Sequence, residues 1–521
     1  MTNVAPVFAW AADSLTFFYV ELDAASRPYR VRRHRLGTDA AADPVVFEEP
    51  DERFFVDLLP TRSRRYIRLT LGSHTTTELH VLDAHDPEQP PFLLAGRQQN
   101  VELRFDHSGD HFYLISNQEA LNFRLFRVPI ANPSRESWEE LLPHDSEVEL
   151  VAVDAFAGHL AIYERRLGLR GYRILDLSSG AWHQIPFDEA VYTVAPEGNA
   201  EFHTATLRFQ YSSPLVPPSV YDYDMATGSR RLLKRTAVLG GFDPELYTTE
   251  RAFAPAADGV AIPISLVYRR DLRRDGSAPL LLYGYGSYGV SIEARFSPAR
   301  LSLLERGMVF AIAHIRGGGE LGRGGYESGK LVHKSNTFGD FEAAAEFLIA
   351  GGYTSSRRLV IRGGSAGGLL IGAVLNRRPE LFHAALAEVP FVDVVNTMLD
   401  ASLPLTVIEY EEWGDPASPE VLARLLGYSP YDNVKAQDYP HLLVTAGFND
   451  PRVMYWEPAK WVARLRATKT DDNLLLLRMD MGTGHGGASG RYDAFREEAI
   501  KLAFLIDVLG RERRDSGSQG G

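Results

Sequence analysis

Three short strings in this sequence carry the residue types needed for nucleophilic catalysis. Gly363-Gly364-Ser365-Ala366-Gly367 sets a serine among very small residues. Asn449-Asp450 puts a carboxylate just past an apolar run, and Gly482-Thr483-Gly484-His485-Gly486-Gly487 puts an imidazole in a glycine-rich stretch. A serine hydroxyl is a weak nucleophile until a base takes its proton, and that base needs an acid to fix its tautomer and stabilise the imidazolium. Ser365 is therefore expected as nucleophile, His485 as base and Asp450 as orienting acid.

The elements around these strings have to bring them together. The apolar run Leu359–Arg362 reads as a buried strand and Ala366–Arg377 as a helix, so Ser365 falls on a sharp strand-to-helix turn. Such a turn strains the serine backbone and leaves room only for tiny neighbours. His441–Ala446 reads as the strand before Asp450, and Asn473–Met479 as the strand before His485. The chain order Ser…Asp…His, each at a strand end, is that of an α/β hydrolase. Further strands are expected at Pro279–Tyr283, Met308–His314 and Ala384–Glu388, with helices at Phe338–Ala350, Glu457–Ala467 and Tyr492–Leu509. This alternation predicts a doubly wound, mostly parallel sheet over residues 239–511.

A competing motif lies just upstream. Gly284-Tyr285-Gly286-Ser287-Tyr288-Gly289 fits G-x-G-x-x-G after an apolar strand, as a dinucleotide site would. That site needs a helix opening at the last glycine, and Pro298 interrupts the following residues. In a hydrolase the same loop can place its backbone and the Tyr285 hydroxyl near the reacting carbonyl.

The first half has a different rhythm. Short apolar or alternating runs at Leu15–Val20, Arg65–Thr70, His111–Ser116, Leu160–Glu164 and Thr206–Gln210 are each followed by a second run. These partners are Tyr29–Leu36, Glu78–Ala84, Phe123–Ile130, Tyr172–Asp176 and Ser219–Asp224. Both sets recur at roughly 47 residues, the period of four-stranded propeller blades. Residues 1–238 are thus expected to form a β-propeller of about five blades, the first of them incomplete. The alternative is an irregular β-sandwich. Residues 512–521 are Ser/Gly-rich and predicted to be a disordered tail.

Bulk properties narrow the function. At 521 residues the chain is too long for one core, and its net charge of −13 argues against a nucleic-acid partner. There is no cysteine, which excludes thiol catalysis and thiolate metal sites. The N-terminal residues lack a basic region followed by an apolar run, and no stretch has the length of a membrane span, so a cytoplasmic protein with no membrane partner is the default expectation. No H-E-x-x-H motif is present, and neither a metal nor an organic cofactor is implied.

Five strings together resemble the prolyl oligopeptidase family of serine peptidases, in its oligopeptidase B branch. They are Tyr283-Gly284-Tyr285-Gly286-Ser287-Tyr288-Gly289, Arg316-Gly317-Gly318-Gly319-Glu320, Gly363-Gly364-Ser365-Ala366-Gly367-Gly368, Glu409-Tyr410-Glu411-Glu412-Trp413-Gly414 and Asn449-Asp450-Pro451-Arg452. The resemblance implies that Tyr285 and the backbone N–H of Ala366 donate to the oxyanion, and that Tyr288 belongs to the substrate site. It implies that Arg452 holds the peptide backbone, a structural ion pair being the alternative. It also implies that Glu409 and Glu411 select arginine or lysine at P1. On physical grounds, an extended segment would turn positions two apart to one side, so both carboxylates could face one guanidinium. A solvated acidic run is the alternative reading.

Two departures from the family bear on function. Relatives carry two acidic residues after the tyrosine-glycine loop, where this chain has Glu293 and then Arg295. Glu293 remains a candidate substrate-binding residue, and the reversed charge at Arg295 is expected to weaken a preference for a second basic residue at P2. The family propeller has seven blades after an N-terminal segment, whereas this chain is shorter in front by that segment and about two blades. An incomplete ring with exposed strand edges is expected, from a truncated fragment or a misassigned start, or else another arrangement stands in place of the missing part. The function implied is a serine endopeptidase acting on short peptides after Arg or Lys. The alternatives are cleavage after proline, or a catalytically impaired propeller-bearing binding protein.

Overall fold

The computed structural model describes residues 3–518, with side chains through residue 510. Its first half is five successive four-stranded antiparallel sheets. They are β1–β4 (Val4–Trp10, Thr16–Leu22, Pro28–Arg35, Val45–Glu48), β5–β8 (Phe55–Pro60, Tyr66–Gly72, Thr77–Asp83, Phe92–Ala95) and β9–β12 (Leu103–Ser108, His111–Ser116, Arg124–Pro129, Glu139–Leu142). Two more follow, β13–β16 (Val148–Ala155, His159–Arg166, Leu169–Asp176, Trp182–Gln184) and β17–β20 (Thr193–Pro196, Thr206–Ser212, Ser219–Asp224, Arg230–Arg235).

Period-two alternation explains why these sheets stack as blades. In β10, Phe112 and Leu114 pack toward the second blade, while Tyr113 and Ile115 pack toward the fourth. Both faces of the strand are buried, so it reads as a continuous apolar run. One apolar layer lies between each successive pair of blades.

The first blade is complete, which corrects the expectation from sequence. Its strand β1 turns Ala5, Val7 and Ala9 toward the second blade and leaves Phe8 and Trp10 exposed. Small residues inward, large ones outward and a proline at position 6 invert the usual strand signal. The outer face of the fifth blade is polar, with Arg208 and Arg231 paired to Asp222.

The second half is an eight-stranded sheet in the order β21-β22-β24-β23-β25-β26-β27-β28. Its strands are β21 (Tyr247–Pro255), β22 (Ala261–Arg269), β23 (Leu280–Tyr283), β24 (Val309–Ala313), β25 (Leu359–Gly364), β26 (Ala384–Glu388), β27 (His441–Gly447) and β28 (Leu475–Asp480). All pairs from β24 onward are parallel, and β21 and β22 form an antiparallel edge. The helices are α1 (Pro298–Leu304), α2 (Gly322–Glu327), α3 (Ser335–Ala350), α4 (Ala366–Arg377), α5 (Val394–Leu399), α6 (Thr406–Trp413), α7 (Pro419–Tyr428), α8 (Trp456–Thr468) and α9 (Arg491–Ser518). One apolar core surrounds α3, α4 and α8, and a smaller one lies beneath α9 on the opposite face.

Helix α9 runs on to Ser518, so residues 512–518 continue a helix where the Ser/Gly content argues for disorder. The charged run starting at Arg511 consists largely of good helix formers, which extend a helix already nucleated upstream. Residues 519–521 lie outside the described residues. Among the described residues no helix is long and apolar enough to cross a membrane.

Propeller hairpins meet the carboxyl end of the large sheet. The side chain of Arg323 on α2 pairs with Glu102, and its backbone N–H donates to Asn122 Oδ1 (3.2 Å). These contacts hold the propeller over the strand ends where the candidate catalytic residues lie.

Candidate active site

Ser365 sits between β25 and α4 with φ 56° and ψ −120°, a conformation that non-glycine residues rarely adopt. Its neighbours explain how the turn closes. A Cβ on Gly363 would lie 2.3 Å from the Gly367 carbonyl oxygen, and one on Gly367 would lie 2.8 Å from that of Gly284. The Ser365 N–H donates to the Glu388 carbonyl of the neighbouring strand (2.8 Å), which locks the turn to the sheet.

Asp450 follows β27, with its side chain only 1% exposed. Its Oδ1 accepts the N–H groups of Arg452 (2.8 Å) and Val453 (3.0 Å), while Oδ2 meets His485 Nδ1 at 2.7 Å. The histidine loop is stitched to the aspartate loop by the Asn449 N–H donating to the Thr483 carbonyl (3.0 Å). Gly447 makes this approach possible, since a Cβ there would lie 2.6 Å from the Gly484 carbonyl oxygen. The structure thus joins Asp450 to His485. Among the described residues no hydrogen bond links His485 to Ser365, which faces the adjoining cleft. Hydrogen bonds of this kind are often long without substrate and tighten in the complex.

The loop after β23 brings Tyr285 beside Ser365 in that cleft. Burial and the nearby carboxylates of Glu409 and Glu412 push its phenol pKa up, so the hydroxyl keeps its proton. Ala366 is the first residue of α4, so its N–H has no carbonyl one turn earlier to bond. These two groups can supply paired donors to one oxygen.

The cleft encloses about 470 Å³ and is lined by Ser365, Tyr285, Tyr288, Phe391, Met398 and Glu409 among others. Glu409 Oε2 accepts from the Tyr288 hydroxyl (2.8 Å) and from Trp413 Nε1 (2.9 Å). Burial pushes its pKa up to about 7, against the pull of those two hydrogen bonds. An acid poised in this way ionises readily when a cation enters.

Glu411 lies elsewhere. The segment is helical, α6, rather than extended, so residues two apart point about 200° apart around the axis. Glu411 Oε2 accepts the backbone N–H of Thr75 (3.1 Å) in the β6–β7 hairpin of the propeller. Beside it, the His74 ring packs on Tyr288 with centroids 5.4 Å apart.

Glu293 is also engaged at the domain boundary. Its carboxylate pairs with Arg170 (2.8 Å) and Arg165 (3.2 Å) and accepts from Thr193 Oγ1 (2.7 Å), all three on the propeller. Its side chain is 9% exposed. Arg452 is exposed at the rim of the cleft, with no ion pair among the described residues.

Several contributors to the site escape sequence reasoning. Trp413, Phe391 and Met398 line or back the cleft, and Phe55 and His74 reach it from the propeller. Only Trp413 left a local trace, as the residue four after Glu409 on one helix face.

Comparison with known proteins agrees with this architecture. The profile described as prolyl oligopeptidase family matches residues 294–512, and that described as prolyl oligopeptidase, N-terminal beta-propeller domain matches residues 1–236. Protease 2 of Moraxella lacunata is 43% identical over 506 residues, covering 97% of this chain and 73% of that protein. Dipeptidyl aminopeptidase BI of Pseudoxanthomonas mexicana is 42% identical, covering 98% and 70%. Among solved structures, oligopeptidase B from Leishmania major superposes with a TM-score of 0.94 at 40% identity, covering 98% of this chain and 72% of that one. Oligopeptidase B from Trypanosoma brucei, with covalently bound antipain in a closed form, gives 0.94 at 39% identity, covering 98% and 74%.

Proposed function

Because this chain belongs to the prolyl oligopeptidase family of serine peptidases, we propose that it hydrolyses short peptides on the carboxyl side of arginine or lysine. The observation that carries this reading is the Glu409 carboxylate, buried in the same cleft that Ser365 faces. A guanidinium or ammonium entering the cleft replaces lost hydration with a charge-assisted bond to Glu409. The aromatic walls of Tyr288 and Phe391 pack the side-chain stem.

Chemistry then follows from the neighbouring groups. The substrate carbonyl lies against Ser365, His485 takes the hydroxyl proton, and Oγ forms a bond to the carbonyl carbon. Charge developing on the carbonyl oxygen is met by the Tyr285 hydroxyl and the Ala366 N–H, each worth about 3–4 kcal/mol in sites of this kind. His485 returns the proton to the leaving amine as the C–N bond breaks, leaving an acyl-enzyme on Ser365. Water deprotonated by the same imidazole then hydrolyses the ester. Asp450 holds the ring throughout, through the 2.7 Å contact at Nδ1.

Chromophore release from Arg-, Lys- and Pro-linked peptide substrates tests the reading, with Ser365→Ala as control. Cleavage after Arg and Lys that disappears in the control is expected. Cleavage confined to proline, or none by well-folded protein, would overturn it.

A further inference from the structure

Lys334 holds a charge that no step of the reaction uses. It precedes α3 beneath the loop that carries Tyr285, with its side chain 2% exposed. Its ammonium donates to the carbonyl of Gly286 and to the hydroxyl of Ser287, each at 2.7 Å. It also lies 3.6 Å from Glu412, whose side chain is fully buried and whose other polar neighbours are the Tyr326 hydroxyl and the Tyr288 backbone. Apolar residues of similar volume commonly serve stability as well as such a buried pair, so stability alone is a poor reason for it.

The loop above Lys334 needs holding. Gly286 has φ +71° with no space for a Cβ, which would lie 2.5 Å from Thr337 Cγ2, and Tyr288 has φ 59°. Strained backbone persists only where its surroundings over-determine it. Tyr285 faces the nucleophile on one side of the tethered residues, and on the other Tyr288 hydrogen-bonds Glu409. Glu412 lies three residues after Glu409 on α6, so the pair also ties this loop to the helix that forms the selectivity pocket.

We propose that Lys334 is a positioning residue, which clamps the Gly286–Ser287 backbone so that the Tyr285 hydroxyl is aimed at the developing oxyanion and registered against α6. It rests on the roles assigned above to Tyr285 and Glu409. The clamp acts when charge moves onto the substrate oxygen, so it affects turnover more than ground-state binding.

Three ligands separate these effects: a peptide arginine anilide as substrate, benzamidine to fill only the P1 pocket, and a peptide arginine aldehyde, whose adduct with Ser365 carries the oxyanion. Wild-type enzyme that neither cleaves the anilide nor binds benzamidine overturns the P1 reading and the proposal with it. Given an active wild type, Lys334→Met is expected to lower kcat about 100-fold, as loss of an oxyanion donor does, with KM within about threefold. Aldehyde affinity is expected to fall with kcat/KM while benzamidine affinity holds. Lys334→Met strands the Glu412 charge and lowers the melting temperature, whereas Lys334→Met/Glu412→Gln removes both charges. That double variant is expected to regain stability but not kcat. Ser287→Ala keeps both charges, removes one clamp bond, and is expected to lower kcat by a smaller factor. Recovery of wild-type kcat in the double variant, or equal weakening of benzamidine and aldehyde, would overturn the proposal.

Discussion

Glu409 and Glu411 stand two residues apart on one helix and face different domains. Glu409 is bound by Tyr288 and Trp413 within the cleft, while Glu411 accepts a backbone amide from Thr75 of the propeller. On the proposed function the first carboxylate meets the substrate cation, while the second fastens a hairpin that helps wall the cleft. Glu409→Gln is expected to reduce kcat/KM for arginine substrates by about 100- to 1000-fold, the usual cost of removing one partner of a buried charge pair. Glu411→Gln should retain the preference for arginine over a neutral P1 residue. Steady-state kinetics on matched Arg and norleucine peptides checks both, and equal losses from the two substitutions would refute the division of labour.

The raised pKa of Glu409, about 7, sets a pH dependence. Only the ionised carboxylate attracts an amidinium, so affinity should rise with pH through about 7 and level off above it. Below that point the slope approaches tenfold per pH unit, because one proton is released for each ligand bound. Equilibrium binding of benzamidine isolates this effect from the proton transfers of turnover. Flat affinity between pH 5.5 and 8.5 would contradict it, and Glu409→Gln is expected to be flat.

At the domain boundary, Glu293 neutralises two arginines whose side chains are largely or partly buried. Glu293→Ala leaves Arg165 and Arg170 facing each other without it, and should cost about 3 kcal/mol of stability. Its effect on P2 selectivity should be small, with the ratio of Arg-Arg to Ala-Arg cleavage changing less than about twofold. Thermal unfolding and paired substrates measure the two quantities. A large loss of dibasic preference at unchanged stability would return Glu293 to the substrate site.

Asp450 meets His485 Nδ1 through a single short contact, through which the proposed mechanism has it orient the ring. Asp450→Asn should keep the fold, because both backbone amides held by Oδ1 can still be accepted, yet favour the wrong tautomer. A drop in kcat of about 10⁴-fold is expected, as in triads of this kind, with little change in benzamidine binding. Wild-type turnover would show that the acid is dispensable.

What could be read from the sequence follows from the range of the interactions involved. The turn at Ser365 is local, since a buried strand, tiny residues and a helix start lie within a few positions, and so it was legible. The blades were legible because each repeats one alternating pattern. Strand β1 was not, since its large side chains face outward. The helical state of α6 was not legible, because Glu-Tyr-Glu-Glu-Trp carries little periodicity in a helix of eight residues. The partner that separates Glu411 from Glu409 lies 336 residues away at Thr75. Nothing in the sequence pointed to the burial of Lys334 against Glu412, because lysine and glutamate in sequence read as solvent-facing.

Phe55 and His74 belong to the propeller yet stand in the wall of the peptidase cleft. On the proposed reading, selectivity is therefore composite: the hydrolase half supplies the charge and the chemistry, and the propeller supplies part of the shape. Variation in the β6–β7 hairpin, far upstream of the nucleophile, offers a route by which side-chain preference can drift during evolution or be retuned by engineering, while every reacting group stays as it is.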